Sequence, residues 1–238
     1  MQELAGPSAG SALPSSGPWK HIMIIADVSC LSVRLAPAAT ICENVPMTAC
    51  DLYPVLPAGF KTDAALEVLR DILGLPTITA LRIPAGWTPE ATQLSQLVDL
   101  LHANGVAMIL EVAGSLADTP KSLLGICDGL HAANVEELVN LRKTVGSDMP
   151  VGCLCTNRDD AMKSGESGAD YVAFPPGDLE LVKWWSSVME LPVIAENIRN
   201  TEDASSAITA GADFLAIPLQ FDGKDAERFS AMTLLAAG

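Results

Sequence analysis

Most of the residues in this chain that could do chemistry stand at the ends of short β-rich runs. Glu111 closes the apolar run Val106 to Val112, and Glu196-Asn197 follow Leu191 to Ala195. His131 stands near the end of Asp128 to Ala132, and Asp27 ends His21 to Ala26. A carboxylate or imidazole so placed can move a proton to or from a bound small molecule. Glu111, His131 and Glu196 are therefore the catalytic candidates. Glu196 could also accept a hydrogen bond from an amine-bearing ligand, pair with Arg199, or cap the next helix. Glu111, in apolar surroundings, needs a partner such as Arg82. Asp27, Arg82, Asn134, Thr156, Asn157, Asn197 and Gln220 share this placement and are the candidate ligand contacts. His131 has a structural reading too, and Asp27 could cap its turn. No metal site is expected. Cys153 and Cys155 share a strand face, but no histidine or second cysteine pair stands at ligand spacing, so they read as buried small hydrophobes.

Such strand ends must be gathered by a parallel α/β architecture, and a repeat says which kind. Gly168-Ala169-Asp170-Tyr171-Val172-Ala173-Phe174-Pro175 returns as Gly211-Ala212-Asp213-Phe214-Leu215-Ala216-Ile217-Pro218. Met149-Pro150-Val151 leads into the first copy and Leu191-Pro192-Val193 into the second. Each copy reads strand, polar turn, helix, strand, which is the unit of parallel sheets. Strands are predicted to start near 21, 78, 106, 128, 151, 170, 192 and 214. Helices are predicted at about 63–73, 88–103, 116–124, 136–145, 158–166, 178–189, 201–209 and 225–235. Eight strand–helix units predict a (β/α)8 TIM barrel, with its chemistry at the C-terminal ends of the strands. Residues 1–18 read as a flexible Gly/Ser/Pro-rich leader and 19–238 as one barrel domain. Residues 30–62, rich in proline, read as a long irregular segment holding an extra strand near Met47 to Tyr53. In Trp184-Trp185 one ring is expected on the barrel and one outward, where it could serve a homodimer contact.

Composition narrows the partners. The 238 residues are 49% hydrophobic but only 5% aromatic, so the core is aliphatic. A net charge of −15 opposes nucleic acid and anionic membranes. It also leaves any anion site dependent on local donors. No apolar run reaches the ~20 residues of a membrane span, and no signal-peptide pattern opens the chain. The six cysteines then read as free thiols of a cytoplasmic protein. The expected partner is a small molecule at the barrel mouth.

The run Leu191-Pro192-Val193-Ile194-Ala195-Glu196-Asn197-Ile198, followed by Ala210-Gly211-Ala212-Asp213, resembles the last two strands of the thiamine-phosphate synthase and thiazole tautomerase superfamily. Gly168 to Phe174 is similar to its sixth strand, Asp128-Gly129-Leu130-His131 to its fourth and Leu81-Arg82 to its second. The resemblance spans roughly 78–220. It implies joining a pyrimidine pyrophosphate to a thiazole phosphate with Mg²⁺ and release of pyrophosphate. Several positions depart from the family pattern. Its Gln-x-Arg-x-Lys pattern for the pyrophosphate reads Ala80-Leu81-Arg82-Ile83-Pro84, only the arginine being kept, and its Asn-Asp, the aspartate a metal ligand, reads Glu111-Val112. Asn134 and Glu136 stand nearest its glutamine and acid. The lysine loop after the sixth strand is replaced by Pro175-Pro176-Gly177. The Gly-Gly pair that bares N–H groups to phosphate reads Glu196-Asn197, and Pro218 removes a donor from the eighth strand. A carboxylate about 4 Å from a ligand anion costs about 4 kcal/mol at an effective dielectric near 20.

Two functions follow. One is a synthase-like transferase of thiamine metabolism, forming a C–N bond and requiring Mg²⁺. The other is a diverged paralogue with its phosphate site altered or lost, needing no cofactor, that binds a small molecule or serves as an interaction protein. Another phosphate-using barrel lyase or isomerase is a third reading, and the missing glycines weigh equally against it.

Overall fold

The computed structural model describes residues 50–237. Eight parallel strands close a barrel in chain order. They are β1 Asp51–Val55, β2 Ala80–Ile83, β3 Ala107–Val112, β4 Gly129–Ala132, β5 Val151–Leu154, β6 Tyr171–Phe174, β7 Val193–Ala195 and β8 Phe214–Pro218. The helices that return the chain are α1 Thr62–Ile72, α2 Ala91–Asn104, α3 Lys121–Leu124, α4 Val135–Val145, α5 Arg158–Glu166, α6 Leu179–Val188, α7 Thr201–Ala210 and α8 Asp225–Ala236. The expected barrel is present, but its first strand is not the expected one. Asp51–Val55 pairs with β8 along its length and with β2 at Val55–Arg82, which closes the ring. The run His21 to Ala26 lies outside the described residues, and Asp27 and the leader with it. The extra strand expected near Met47 to Tyr53, inside the proline-rich segment, overlaps β1, and its residues 47–49 lie outside the described ones. Pro54 is nonetheless accommodated within β1.

Two smaller corrections share a cause in local chemistry. The second helix begins at Ala91 and not near 88, and Glu90 is its cap, with Gln93 Oε1 accepting the Glu90 N–H at 3.3 Å. The helix expected at 116–124 is a 3₁₀ turn, Leu116–Asp118, and a single α-turn, because Pro120 interrupts it.

Alternation sorts the strands into two cores. Tyr53, Ala80, Ala107, Ile109, Tyr171, Ala173, Ile194 and Ala216 fill the barrel interior. Leu52, Leu81, Met108, Leu110, Leu130, Val172 and Leu215 face the helices. Trp185 is fully buried against Phe174, with its ring nitrogen donating to the Leu191 carbonyl at 2.8 Å. Trp184 is half-buried, with the Arg158 guanidinium 4.8 Å from its ring centre. No helix among the described residues is long and apolar enough to cross a membrane.

The repeated Gly-Ala-Asp phrase is a device for starting strands. Gly168 and Gly211 take φ of 86° and 92°, which turns the chain out of its helix. Ala169 and Ala212 are buried. The aspartate then reaches back one strand. Asp170 Oδ2 accepts the Val151 N–H at 2.7 Å and Asp213 Oδ2 accepts the Val193 N–H at 2.8 Å. Asp128 does the same for Met108 at 2.9 Å. Burial raises the Asp213 carboxyl pKa, against the hydrogen bond from Val193. Asp213→Ala should destabilise the fold by about 1–3 kcal/mol, because the Val193 N–H loses its side-chain acceptor at a buried strand start. Asp213→Asn, which keeps an acceptor, should cost less. Urea midpoints of the two variants check this.

Candidate functional site

The interior face of the barrel carries a polar cluster just below its C-terminal mouth. β2 supplies Arg82, β4 His131, β6 Tyr171, and the residue after β7 supplies Glu196; Tyr53 of β1 lies beside them. Arg82 Nη1 and Nη2 donate to Glu196 Oε1 and Oε2 at 2.6 and 2.7 Å, a two-pronged ion pair across the barrel. Both side chains are only 9% exposed. The Tyr53 ring lies 5.5 Å from the guanidinium carbon. Burial opposes the Arg82 charge, but the Glu196 carboxylate more than offsets it and holds the pKa above the usual range.

His131 continues the chain of contacts. Arg82 Nη1 lies 3.2 Å from Nε2 and the Tyr171 hydroxyl 3.1 Å from Nδ1. Arginine has only donors, so Nε2 must accept, and the proton belongs on Nδ1, facing the Tyr171 oxygen. Complete burial, then the Arg82 charge, drive the imidazole pKa well below 6.5. His131 is therefore a neutral acceptor at neutral pH. Its folded pKa lies below its unfolded one, so its contribution to stability is present above about pH 6.5 and is lost as pH falls through the folded pKa. The urea midpoint should fall on acidification below pH 6.5. His131→Asn should lower the midpoint throughout and make that fall shallower.

The other candidates are placed around this cluster. Glu111 shares the interior face with Ala107 and Ile109 and stands beside His131 in the β3–β4 register, half-exposed at the mouth. Its carboxylate forms no ion pair among the described residues, and the expected Arg82–Glu111 pair is replaced by Arg82–Glu196. Barrel geometry explains the difference: Glu196 reaches Arg82 across the interior, a contact that reasoning from adjacent strands does not reveal. Glu196 pairs with neither Arg199 nor the helix start. Asn197 takes φ of 59°, the left-handed conformation that asparagine tolerates better than most residues. Its Oδ1 accepts from Arg199 Nε at 3.1 Å.

Three helix starts are closed in the same way. Asn134, Asn157 and Asn200 cap α4, α5 and α7, each accepting an N–H from Glu137, Asp160 or Asp203 at 3.0, 2.9 and 2.8 Å. Each of those acids reaches back to the N–H of the residue before the asparagine. Thr156 Oγ1 donates to Asp160 at 2.8 Å. Asn134, Thr156 and Asn157 thus serve their own helices in this structure. After β8, Asp225 accepts the N–H groups of Gln220 and Phe221 at 3.0 and 2.8 Å, while the Gln220 side chain is exposed. The N–H groups of Ala133, Thr156, Arg199, Gln220 and Phe221 are thus satisfied by carboxylates of the chain itself.

A cleft of about 620 Å³ opens between the loops after β6 and β7, lined by Pro176, Gly177, Leu179, Glu196, Asn197 and Arg199 among others. Tyr53, Tyr171 and Gly152 were not legible as site residues. Tyr171 sits against Gly152, where an added Cβ would lie 1.9 Å from its ring.

No family model matches the sequence. It is 34% identical over 188 residues to the thiamine-phosphate synthase of Rhodospirillum centenum, an alignment covering 72% of this chain and 88% of that one. This chain belongs to the thiamine-phosphate synthase family. The Erythrobacter litoralis thiamine-phosphate synthase is 32% identical over 189 residues, covering 70% of this chain and 85% of that protein. Among solved structures, thiamine phosphate pyrophosphorylase from Pyrococcus furiosus superposes with a TM-score of 0.62 at 17% identity, over 81% of this chain and 99% of that one. A 3-hexulose-6-phosphate synthase gives 0.58 at 14%, over 79% and 100%. At these identities the solved structures speak to the barrel alone.

The family implies Mg²⁺. Among the described residues, no three His, Cys, Asp or Glu side chains gather as a metal site. Glu111 is the lone free carboxylate at the β3 end, Val112 stands where the family places its metal-binding aspartate, and Glu196 is committed to Arg82. A Mg²⁺–pyrophosphate site needs several oxygen ligands, and these residues do not fit one. Cys153 and Cys155 are both buried, and the Cys155 thiol contacts Ser164 Oγ at 3.3 Å.

Proposed function

We propose that this chain is a diverged member of the thiamine-phosphate synthase family in which the phosphate and pyrophosphate end of the site is altered. In this reading the barrel mouth takes a neutral or cationic small molecule. The observation that carries it is the buried Arg82–Glu196 pair. Arg82 is the residue that the resemblance assigns to pyrophosphate, and its two terminal nitrogens are both held by a carboxylate of the chain itself. The substitutions at the other anion positions support the same reading, since Pro218 offers no N–H and Asp225 takes those of Gln220 and Phe221.

The test is the family reaction itself. The full chain is incubated with the pyrimidine pyrophosphate, the thiazole phosphate and Mg²⁺, and inorganic pyrophosphate is measured. The expected result is no release above the enzyme-free control. Turnover-linked pyrophosphate release would overturn the reading and restore the transferase, with C–N bond formation as its chemistry.

A further inference from the structure

The polar cluster holds more donors than its single carboxylate can use. Glu196 takes Nη1 and Nη2 of Arg82, but the buried Nε has no hydrogen-bond partner, and neither has the buried hydroxyl of Tyr53, whose ring lies against the guanidinium. Native structures leave few such groups unpaired. Two adjoining polar atoms thus lie beside the Glu196 carboxylate without an acceptor of their own. Glu196 is also the member of the cluster that reaches the outside, because it lines the 620 Å³ cleft at the mouth.

Resting on the functional reading above, we propose that Glu196 is the specificity-determining residue of this site: its carboxylate is an internal anion seated on Arg82, and it excludes small oxyanions from the barrel. The geometry is that of a bound ligand. A planar carboxylate meets the guanidinium fork through two parallel N–H···O bonds, the same arrangement that acetate or one face of a phosphate would adopt. While Glu196 occupies the fork, an entering oxyanion finds its donors used and a like charge beside it. Removing the side chain opens the fork to the cleft and leaves a positive charge without a counterion, with Nε and the Tyr53 hydroxyl available as further donors.

The test compares anion binding to the full chain and to Glu196→Ala, by calorimetry and thermal shift. Acetate, inorganic phosphate and pyrophosphate are titrated, with chloride at matched ionic strength as the control. Ligand that binds only the folded state raises the midpoint saturably. Glu196→Ala should bind at least one of these anions at least tenfold more tightly than the unsubstituted chain. Adding Arg82→Met should abolish that gain. Should Glu196→Ala not fold, Glu196→Ser is titrated and read in the same way. A folded variant that binds all three anions no better than the unsubstituted chain would overturn the proposal, as would a gain that survives loss of Arg82. Neither result touches the functional reading, which the pyrophosphate-release assay decides on the unsubstituted chain alone.

Discussion

Arg82→Met is expected to lower the unfolding free energy by about 3–5 kcal/mol, and Glu196→Leu by a similar amount. Each leaves one charge buried in the barrel interior without its partner. In the Arg82 variant His131 Nε2 also loses its donor. For a domain of this size the corresponding fall in melting temperature is about 6–20 °C. The double variant Arg82→Met/Glu196→Leu should be less damaged than either single one, because no isolated charge remains. Replacing buried ion pairs by apolar residues is often neutral or stabilising. The cost that persists is the unpaired imidazole, about 1–3 kcal/mol. Urea unfolding of the four proteins completes a double-mutant cycle. Additive single effects would show that the two charges are not coupled and would remove the main support for a closed anion site.

What could be read from the sequence was what local chemistry determines. The paired Gly-Ala-Asp phrases specify a helix exit, a small buried residue and a strand start, and all three are local events. Seven of the eight strands are therefore legible within a few residues. The first, Asp51–Val55, reads only as an extra strand near Met47 to Tyr53, because its place in the barrel comes from pairing with β8, far along the chain. The site was legible in part for the same reason. Strand-end positions identify Arg82, His131, Glu111 and Glu196 as lying near the mouth. They do not say that Arg82 spans the interior to Glu196, since sequence order conveys neighbouring strands more readily than opposite ones. The asparagines show the converse. Asn134, Asn157 and Asn200 each stand three residues before an acid, a capping pattern visible in the sequence, yet their position after strands favoured a ligand-binding interpretation of Asn134 and Asn157. Tyr53 and Tyr171 looked like ordinary strand residues. Only closure of the barrel brings them to the cluster.

Gly152→Ala should be among the most damaging single-methyl additions in this protein. The new Cβ would lie 1.9 Å from two atoms of the Tyr171 ring, a separation that real structures do not permit. Either the ring moves or β5 does. Movement of the ring breaks the contact between its hydroxyl and His131 Nδ1 at 3.1 Å, and so loosens the cluster around Arg82. Overpacking of this kind typically costs 1–3 kcal/mol and sometimes more, and a buried aromatic ring places Gly152 at or above the top of that range, about 3 kcal/mol. The effect belongs to space and not to backbone freedom, since Gly152 is not among the glycines of positive φ. Two further variants isolate the cause. Tyr171→Ala removes the ring and should itself cost about 3–5 kcal/mol. Gly152→Ala added to it should cost almost nothing, because the methyl then enters vacated space. Gly165→Ala is the complementary control. Its Cβ would meet only Trp185, at 3.7 Å, within α5, so it should be neutral or stabilising by up to about 1 kcal/mol. If Gly152→Ala proved as harmless as Gly165→Ala, Tyr171 would not occupy the barrel interior as described, and its contact with His131 Nδ1 would fall with it.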